Sequence, residues 1–449
     1  MPVGMCIVAT DNQLPIARAR KAVRPMQPCS RICNGPLFCF KIAVDLLLAV
    51  FLMVPIGCKP RQSVRPTPQM GIESDFWVKV LLLQDAARCT IQVDSVFEAV
   101  DSRTRMRQAK FNRLYRPVDV EIDGGNILIA GRTMSSQEIS ILPNEPHIFS
   151  LDGHTYRGEL KLKINRDGRS FDALNLVPLE PYLAGVVGAE MPDYWEPEAL
   201  KAQAIAARTY CLYIKRNHGI EREWDVSKTQ AHQVYRGVKA ESAQVWKAVN
   251  GTCGQVLVCK QSQGQEDVFP TYYSSVCGGH TENSENVFGD SFEPLVGVPC
   301  PYCEDVAKLS LFFWPMVQIE SETVTTRLMQ RYPKLEPLGD IVGIEPVRQS
   351  DYGSFSRLTL VKLIGSTGKN DFLRAEDLRL AIDPTGRKLR STICRIVKWN
   401  GKWAFLSGKG WGHGVGMCQC GAEGMARKGK TAQQILMHYY PGSKIARVY

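Results

Sequence analysis

Residues 179 to 217 read LEPYLAGVVGAEMPDYWEPEALKAQAIAARTYCLYIKRN, and this stretch decides the fold of the chain. Pro197 opens its second half, and proline is favoured in the first turn of a helix. The apolar residues that follow recur at the spacing of one buried helix face, and they are Leu200, Ala204, Ala207, Cys211 and Ile214. The pattern predicts the main helix of the protein over residues 197–216.

The chain before this stretch reads as a β region. From residue 76 to about 175, short runs alternate with turn signals, and several runs have the period-two alternation of half-buried strands. The runs cover residues 77–83, 118–122, 126–129, 139–142 and 159–164, and Asp123-Gly124-Gly125 marks a turn. A last helix is expected near residues 431–439. The fold class is therefore α+β, with an antiparallel β-rich body and a few helices.

Composition excludes some partners. The chain has 449 residues, of which 44% are apolar and 22% charged, and a formal net charge of +10. Its first 75 residues hold nine Lys or Arg against four Asp or Glu, and they therefore contribute half of that net positive charge. The other half is too dilute for nucleic acid, whose binding proteins concentrate basic residues on one face. A weakly basic body suits an anionic wall polymer or a membrane surface.

The N-terminal segment has the pattern of an export signal. Basic residues from Arg18 to Arg31 precede an apolar stretch over residues 42–57 that only Asp45 interrupts. Its uninterrupted part, 46–57, is shorter than the roughly 20 residues that span a bilayer. Cys58 follows, as at the end of a bacterial lipoprotein signal, although Pro55 stands where that signal normally has Leu. A lipidated Cys58 and an uncleaved anchor both stay open, and both place the chain on the outer side of the cytoplasmic membrane.

These signals divide the chain into four parts. Residues 1–58 form the export signal or membrane anchor, and residues 59–75 form a linker rich in proline and polar residues. Residues 76–175 form the β-rich N-terminal part, and residues 176–449 form a core with a cleft and a candidate metal site.

Two pairs of residues predict that metal site. Cys277 and His280 lie three positions apart, as do Cys300 and Cys303. The spacing matches a closed tetrahedral Cys3His zinc site, which has a structural role because no position is left for water. A disulfide is the alternative, since the protein is predicted to be exported. Cys418 and Cys420 stay unassigned.

Ordered segments of this chain resemble the motifs of the stage II sporulation protein D family, which is related to the amidase enhancer proteins of cell-wall turnover. They are residues 179–217, SKTQAHQVYRG at 227–237, YYSSVCGGHTENSENVFG at 272–289 and GWGHGVGMCQCGAEGMARKG at 410–429. The resemblance covers roughly residues 76–449. It implies a lytic transglycosylase, which cuts the bond between N-acetylmuramic acid and N-acetylglucosamine in peptidoglycan glycan strands.

The resemblance also places the family's catalytic acid on Glu190. One carboxyl group suffices if the substrate's C6 hydroxyl is the nucleophile, because the same group protonates the glycosidic oxygen and then accepts the hydroxyl proton. Glu190 follows an apolar run and precedes Met191-Pro192, so we expect it half-desolvated at a turn, where burial raises the pKa of a carboxyl group. A surface residue in a turn is the alternative. If water attacks instead, a second carboxylate is needed, and Asp193, Glu196 and Glu198 are the candidates.

Four further residues are candidates for holding the sugar. Arg208 and Tyr210 match the family's AARTY segment, while His413 lies between glycines that allow a ligand close to the backbone. Gln419 follows in the same loop, where the family commonly has Ser, Gln and Trp and this chain has Cys418, Gln419 and Cys420. A buried ion pair at Arg208 and a purely structural turn around His413 are the alternatives.

The sequence therefore supports three hypotheses of function. The first is a glycan-cleaving enzyme of the cell envelope. The second is a noncatalytic wall-binding protein that activates a cell-wall amidase, and the third is a zinc-stabilised scaffold. Glycan strands are the expected partner in the first two, with an amidase added in the second.

Overall fold

The computed structural model describes residues 76–218, 222–260 and 264–449. The predicted export signal or anchor, the linker and Cys58 therefore lie outside the described residues. Within the described part, no helix is both long enough and apolar enough to cross a membrane.

The β-rich part folds as two sheets that share a hydrophobic core. Its strands are β1 (Trp77–Ala86), β2 (Arg88–Gln92), β3 (Phe97–Asp101), β4 (Arg107–Phe111), β5 (Val118–Asp123), β6 (Asn126–Ile129), β7 (Arg132–Met134), β8 (Glu138–Pro143), β9 (Ile148–Leu151), β10 (His154–Arg157), β11 (Glu159–Ile164) and β12 (Phe171–Pro178). All pairings among these strands are antiparallel. The predicted β region is thus confirmed, and the predicted turn joins β5 to β6.

Helices and short strands alternate in the rest of the described chain. In order they are α1 (Leu179–Glu190), α2 (Pro197–His218), β13 (Val226–Ser227), α3 (Ala243–Gly251), β14 (Gln255–Lys260), β15 (Glu266–Val268), β16 (Tyr273–Ser274), α4 (Ser284–Val287), α5 (Leu309–Phe312), β17 (Phe313–Trp314), β18 (Val317–Glu320), α6 (Ser321–Arg331), β19 (Ile341–Asp351), β20 (Ser356–Gly365), β21 (Asn370–Arg374), α7 (Ala375–Ile382), β22 (Arg395–Trp399), β23 (Lys402–Leu406), β24 (Gly408–Lys409), β25 (Met417–Cys418), α8 (Gln419–Arg427), α9 (Ala432–Tyr439) and β26 (Lys444–Arg447).

The predicted main helix is confirmed as α2, which extends to His218. Its expected buried face is buried, but so are Ala202, Ala206 and Tyr210 on the other faces. The reason is that α1, α3, α8 and α9 all pack against it. The alanines of α2 allow these neighbours to approach closely, so α2 is the central helix of the core and not a surface helix.

The predicted last helix is also found, as α9. Thr431 caps it, since its side chain accepts a hydrogen bond from the Gln434 N–H and the Gln434 side chain accepts one from the Thr431 N–H. This reciprocal pair is a capping box, which fixes the start of a helix.

A second hydrophobic core lies within the region 176–449. It is formed by residues between Trp314 and Phe405, among them Val324, Leu328 and Val361. We call residues 314–405 the insert. Two three-stranded sheets, β18-β23-β22 and β19-β20-β21, pack there with helices α6 and α7.

Candidate active site

Glu190 is the last residue of α1, a helix that the sequence analysis did not assign. Met191 is extended, with φ −129° and ψ 144°, as expected before Pro192, because proline disfavours the helical conformation in the residue that precedes it. The proline thus ends the helix directly after Glu190. The C-terminal end of a helix also disfavours a negative charge.

Two glycines of α1 bring a second segment against this helix. A Cβ atom on Gly185 would lie 2.5 Å from the ring of Tyr235, and one on Gly188 would lie 1.9 Å from the carbonyl oxygen of Ala240. No larger residue fits at either position without a shift of its neighbours. The glycines therefore allow the chain around residues 234–240 to lie directly on α1, beside Glu190.

The carboxyl group of Glu190 has no exposed surface. Its Oε1 accepts a hydrogen bond from the Val234 N–H at 3.0 Å, and its Oε2 accepts one from Nε2 of Gln419 at 3.2 Å. Burial raises the pKa of Glu190 to about 8, although these two donors and the charge of Arg236 act in the opposite direction. The carboxyl group is therefore mostly protonated at neutral pH. Glu190 is therefore more deeply buried than the half-desolvated position expected from the sequence, because the segment around Val234 covers the end of α1.

A protonated Glu190 needs an acceptor for its proton, and the nearby glutamine amides can supply one. Nε2 of Gln419 lies 3.5 Å from Oε1 of Gln203 on α2. Oε1 of Gln419 and Nε2 of Gln203 are buried without a hydrogen-bond partner among the described residues. Rotation of an amide by about 180° exchanges its donor and its acceptor. Gln419 can thus donate to an ionised Glu190 or accept from a protonated one.

Gln233 ties the neighbouring segments together. Its Oε1 accepts a hydrogen bond from the Tyr182 hydroxyl at 3.0 Å, and its Nε2 donates to the Tyr273 hydroxyl at 3.0 Å and to the Ala207 carbonyl at 3.2 Å. All of these side chains are buried. Together with Val234 and Gln419, these contacts bring all four motif segments of the sequence analysis to one place around Glu190.

The candidate second carboxylates are engaged elsewhere or exposed. Oε1 of Glu198 pairs with Lys201 at 2.6 Å, and its Oε2 accepts a hydrogen bond from the Ala432 N–H at 2.7 Å. Asp193 is exposed. Within the described residues, the hydrogen bonds of Glu190 involve no second carboxylate.

Arg208 forms a buried ion pair. Its guanidinium group makes two hydrogen bonds to the Glu180 carboxylate, at 2.8 and 2.6 Å, and a third to the Gln255 carbonyl at 3.0 Å. Arg208 has no exposed surface, and Tyr210, two residues on, is also buried in the core. Arg208 thus forms the buried ion pair of the structural alternative, and neither residue is exposed in the ligand-free protein.

His413 is likewise buried and holds the glycine-rich loop together. Its Nε2 lies 3.0 Å from the Tyr273 carbonyl oxygen, so it donates there, while Nδ1 accepts a hydrogen bond from the Val415 N–H at 3.0 Å. Burial lowers the pKa of His413 to about 4, which keeps the ring neutral. One ring nitrogen is thus used within the loop, and the other holds the loop to β16. Of the predicted sugar-binding residues, only Gln419 contacts Glu190.

Four buried cysteine thiols form a cluster that could hold a metal ion. The Sγ atoms of Cys277, Cys300, Cys303 and Cys418 all lie within 4.8 Å of one another, and those of Cys277 and Cys303 are 3.8 Å apart. Four sulfurs about 2.3 Å from a tetrahedral zinc ion would be separated by ~3.8 Å. No disulfide joins these thiols. The donor set and its spacing therefore fit a closed four-sulfur site.

The fourth member of the cluster is Cys418, and His280, which the sequence analysis had included, lies outside it. The ring of His280 stacks on Tyr352 at 4.0 Å, and its Nδ1 lies 2.6 Å from the Thr281 carbonyl oxygen. Gly278 and Gly279 have φ values of 83° and 120°, so the chain turns between Cys277 and His280 and separates their side chains. The signal that was available is the pair of cysteines Cys418 and Cys420 in the segment 410–429, which the sequence analysis left unassigned.

Comparisons with known proteins agree on one family. Residues 167–259 match the family described as Stage II sporulation protein. An uncharacterised protein of Brachyspira hyodysenteriae is 34% identical over 66% of this chain and 74% of its own length. Stage II sporulation protein D of Bacillus subtilis is 30% identical over 60% of this chain and 75% of its own length. The amidase enhancer of the same species is 29% identical over 66% of this chain and 44% of its own length.

Proposed function

Because this chain belongs to the stage II sporulation protein D family, we propose that it cleaves peptidoglycan glycan strands as a lytic transglycosylase in cell-wall remodelling. One observation carries the proposal: Glu190 is a buried carboxyl group with a pKa of about 8 and no second carboxylate among its hydrogen-bond partners. A general acid must hold its proton at the working pH, and a pKa of about 8 allows Glu190 to do so near neutral pH. A mechanism in which the substrate supplies the nucleophile needs no second carboxylate.

The reaction uses Glu190 twice. The protonated carboxyl group donates its proton to the glycosidic oxygen while the bond from that oxygen to C1 of N-acetylmuramic acid breaks. The C6 hydroxyl oxygen of the same sugar then bonds to C1, and its proton passes to the ionised Glu190. The products are a 1,6-anhydro end and a free hydroxyl on the neighbouring sugar. Gln419 supports both protonation states of Glu190 by rotating its amide, and the Val234 N–H donates to Oε1.

Glu190 must become accessible during this reaction, since it has no exposed surface in the ligand-free protein. Val234 and Gln419 cover its two oxygens. Val234 belongs to the chain that connects β13 to α3, and its hydrogen bond to Glu190 links that connection to α1. Binding of a glycan strand is proposed to displace this connection, so that the glycosidic oxygen takes the place of one of the two donors.

A second function deserves a direct test, namely noncatalytic activation of a cell-wall amidase. The complete burial of Glu190 favours it, because a residue that never meets the substrate has no catalytic role. Similarity to a protein named amidase enhancer supports it as well. Under this function the protein binds glycan strands and stimulates an amidase without cutting the glycan itself.

Digestion of purified glycan strands separates the two functions. We expect products with 1,6-anhydro-muramic ends, identified by their mass, which is lower than that of hydrolytic products by one water. The matched control is the same digestion with the Glu190→Gln protein. Intact strands after incubation with the wild-type protein, combined with faster release of stem peptides by an added amidase, would establish the activator instead.

The thiol cluster is proposed to hold a structural zinc ion. Cys277, Cys300, Cys303 and Cys418 would bind it as thiolates, and four protein ligands leave no open position for water. Zinc supplies a cross-link between segments that are distant in the sequence. Since Cys418 precedes Gln419, this cross-link would also fix the residue that donates to Glu190.

We propose that the protein resides in the cell envelope, on the outer side of the cytoplasmic membrane. The basic segment and the short apolar stretch before Cys58 support this location, with Cys58 lipidated or the segment uncleaved. The full-length protein should sediment with membranes after cell lysis. Its recovery in the soluble cytoplasmic fraction would contradict both versions of the anchor.

A further inference from the structure

A cavity of about 770 Å³ lies where the insert meets the rest of the core. Outside the insert, its lining includes Thr229, Gln230, Ala231 and Phe288. On the insert side, its lining includes Arg327 and Arg331 of α6 and Arg374 at the end of β21. Ligand sites usually occupy roughly 300 to 1,000 Å³, so this cavity is large enough for part of a glycan chain.

The charges of the lining leave an excess of positive charge. Arg374 pairs with Asp377 at 2.8 Å, and the other lining carboxylate, Glu376, pairs with Arg379 at 2.5 Å. Arg327 donates a hydrogen bond to the Ile382 carbonyl oxygen at 2.5 Å and forms no ion pair within the described residues.

Arg331 is also exposed and forms no ion pair with a carboxylate within the described part of the chain, while its side chain interacts with that of Tyr332. Two lining arginines of the described chain therefore form no ion pair with a lining carboxylate. Arginine is suited to carboxylate ligands because its planar guanidinium group can make two parallel hydrogen bonds to them.

The cavity adjoins the segment that covers Glu190. Ala231 lines the cavity, and Val234, three residues later, donates the hydrogen bond to Glu190. Nε2 of Gln230 donates to the Pro384 carbonyl oxygen at 2.9 Å, which ties this segment to the insert. A ligand in the cavity would therefore touch the same chain that must move to expose the acid.

The other candidate sugar contacts have almost no exposed surface in the ligand-free protein. Arg208, Tyr210 and His413 are all buried. The first contact with a polymer is therefore made by exposed side chains, and the two arginines of α6 are exposed.

We propose that this cavity is a carboxylate-binding site for the glycan substrate, in which Arg327 and Arg331 hold the acidic substituents of the strand. The proposal rests on the proposed action on glycan strands and adds the chemistry of recognition. Acidic groups in such strands are the lactyl carboxylate of muramic acid and the carboxylates of attached stem peptides. A strand without either acid would bind more weakly.

Binding measured by titration calorimetry tests the site without requiring cleavage. The full-length Glu190→Gln protein would be titrated with three probes: a neutral chitooligosaccharide, glycan strands with free lactyl carboxylates, and strands that carry stem peptides. We expect Arg331→Gln to weaken binding of the lactyl strands by about three- to tenfold, the effect of losing one charged hydrogen-bonded contact. The double change with Arg327→Gln should weaken it further. Binding of the chitooligosaccharide should not change.

Arg348→Gln is the matched control, because Arg348 is exposed on β19 of the insert and does not line the cavity. An equal loss for the neutral and the acidic probe, an equal loss in the control, or no loss in the double variant would overturn the proposal. A loss confined to strands with stem peptides would support the peptide carboxylates as the bound groups and exclude the lactyl carboxylate. If the proposed cleavage does not occur, strands stay intact with the wild-type protein. The difference in binding between the acidic and the neutral probes does not depend on that result.

Discussion

Glu190→Gln is expected to lower the rate of glycan-strand cleavage by about a hundred- to ten-thousandfold, which is the usual contribution of general acid–base catalysis. The glutamine keeps the size of the side chain and can still accept the hydrogen bond from the Val234 N–H. It has no proton of suitable pKa to give to the glycosidic oxygen. Binding of glycan strands should survive while turnover falls.

Asp193→Asn is the matched control for this variant, because Asp193 is an exposed acid three residues further along the chain. It should retain nearly full activity. Full activity in Glu190→Gln would refute the assignment of the acid. Reducing ends in place of anhydro ends would keep Glu190 but change the mechanism to hydrolysis, with Asp193, Glu196 or Glu198 as the second carboxylate.

The dependence of stability on pH checks that Glu190→Gln remains folded. The pKa of Glu190 rises from 4.5 to about 8 on folding, so between these values the native state keeps a proton that the unfolded state has lost. The free energy of unfolding therefore falls as pH rises through this range, and it is least affected near pH 4.5 and below. Glutamine does not titrate. Relative to the wild type, the free energy of unfolding of the variant should increase by roughly 2 kcal/mol or more as the pH rises from about 5 to about 8. Chemical denaturation at several pH values measures this difference.

The β-rich part and the central helix could be predicted from the sequence because their signals are local. Alternating apolar residues marked β1, β5 and β11, and a proline followed by helical spacing marked α2. Helix α1 was missed, since its residues are apolar on every side and therefore show no period. The separate core of the insert was missed for a related reason: periodicity marks which residues are buried, but not which of them share a core.

The candidate site could be predicted only in part, because its geometry depends on contacts between distant segments. The resemblance placed the acid on Glu190, but its complete burial depends on Val234 and Gln419, which lie 44 and 229 residues away. Spacing identified three of the four cluster cysteines. The same spacing pointed to His280 instead of Cys418. Cys418 joins the cluster through the pairing of β25 with β16, and not through a short spacing along the chain.

Cys418→Ser is expected to abolish zinc binding, whereas His280→Ala should leave it intact. Elemental analysis of protein purified without added metal should find about one zinc ion per wild-type chain, since all four thiols of one site are already close together. Loss of the metal should also lower the free energy of unfolding. The loss is about 4 kcal/mol where free zinc exceeds its dissociation constant a thousandfold.

The two variants separate the two possible ligand sets, because each removes one residue that only one set contains. Zinc retained in Cys418→Ser and lost in His280→Ala would restore the Cys3His site and contradict the four-sulfur cluster. Less than about a tenth of an equivalent in the wild type, together with a disulfide mapped between two of these cysteines, would exclude a metal altogether. If zinc is present, Cys418→Ser should also slow glycan cleavage, since the adjacent Gln419 would no longer be held against Glu190.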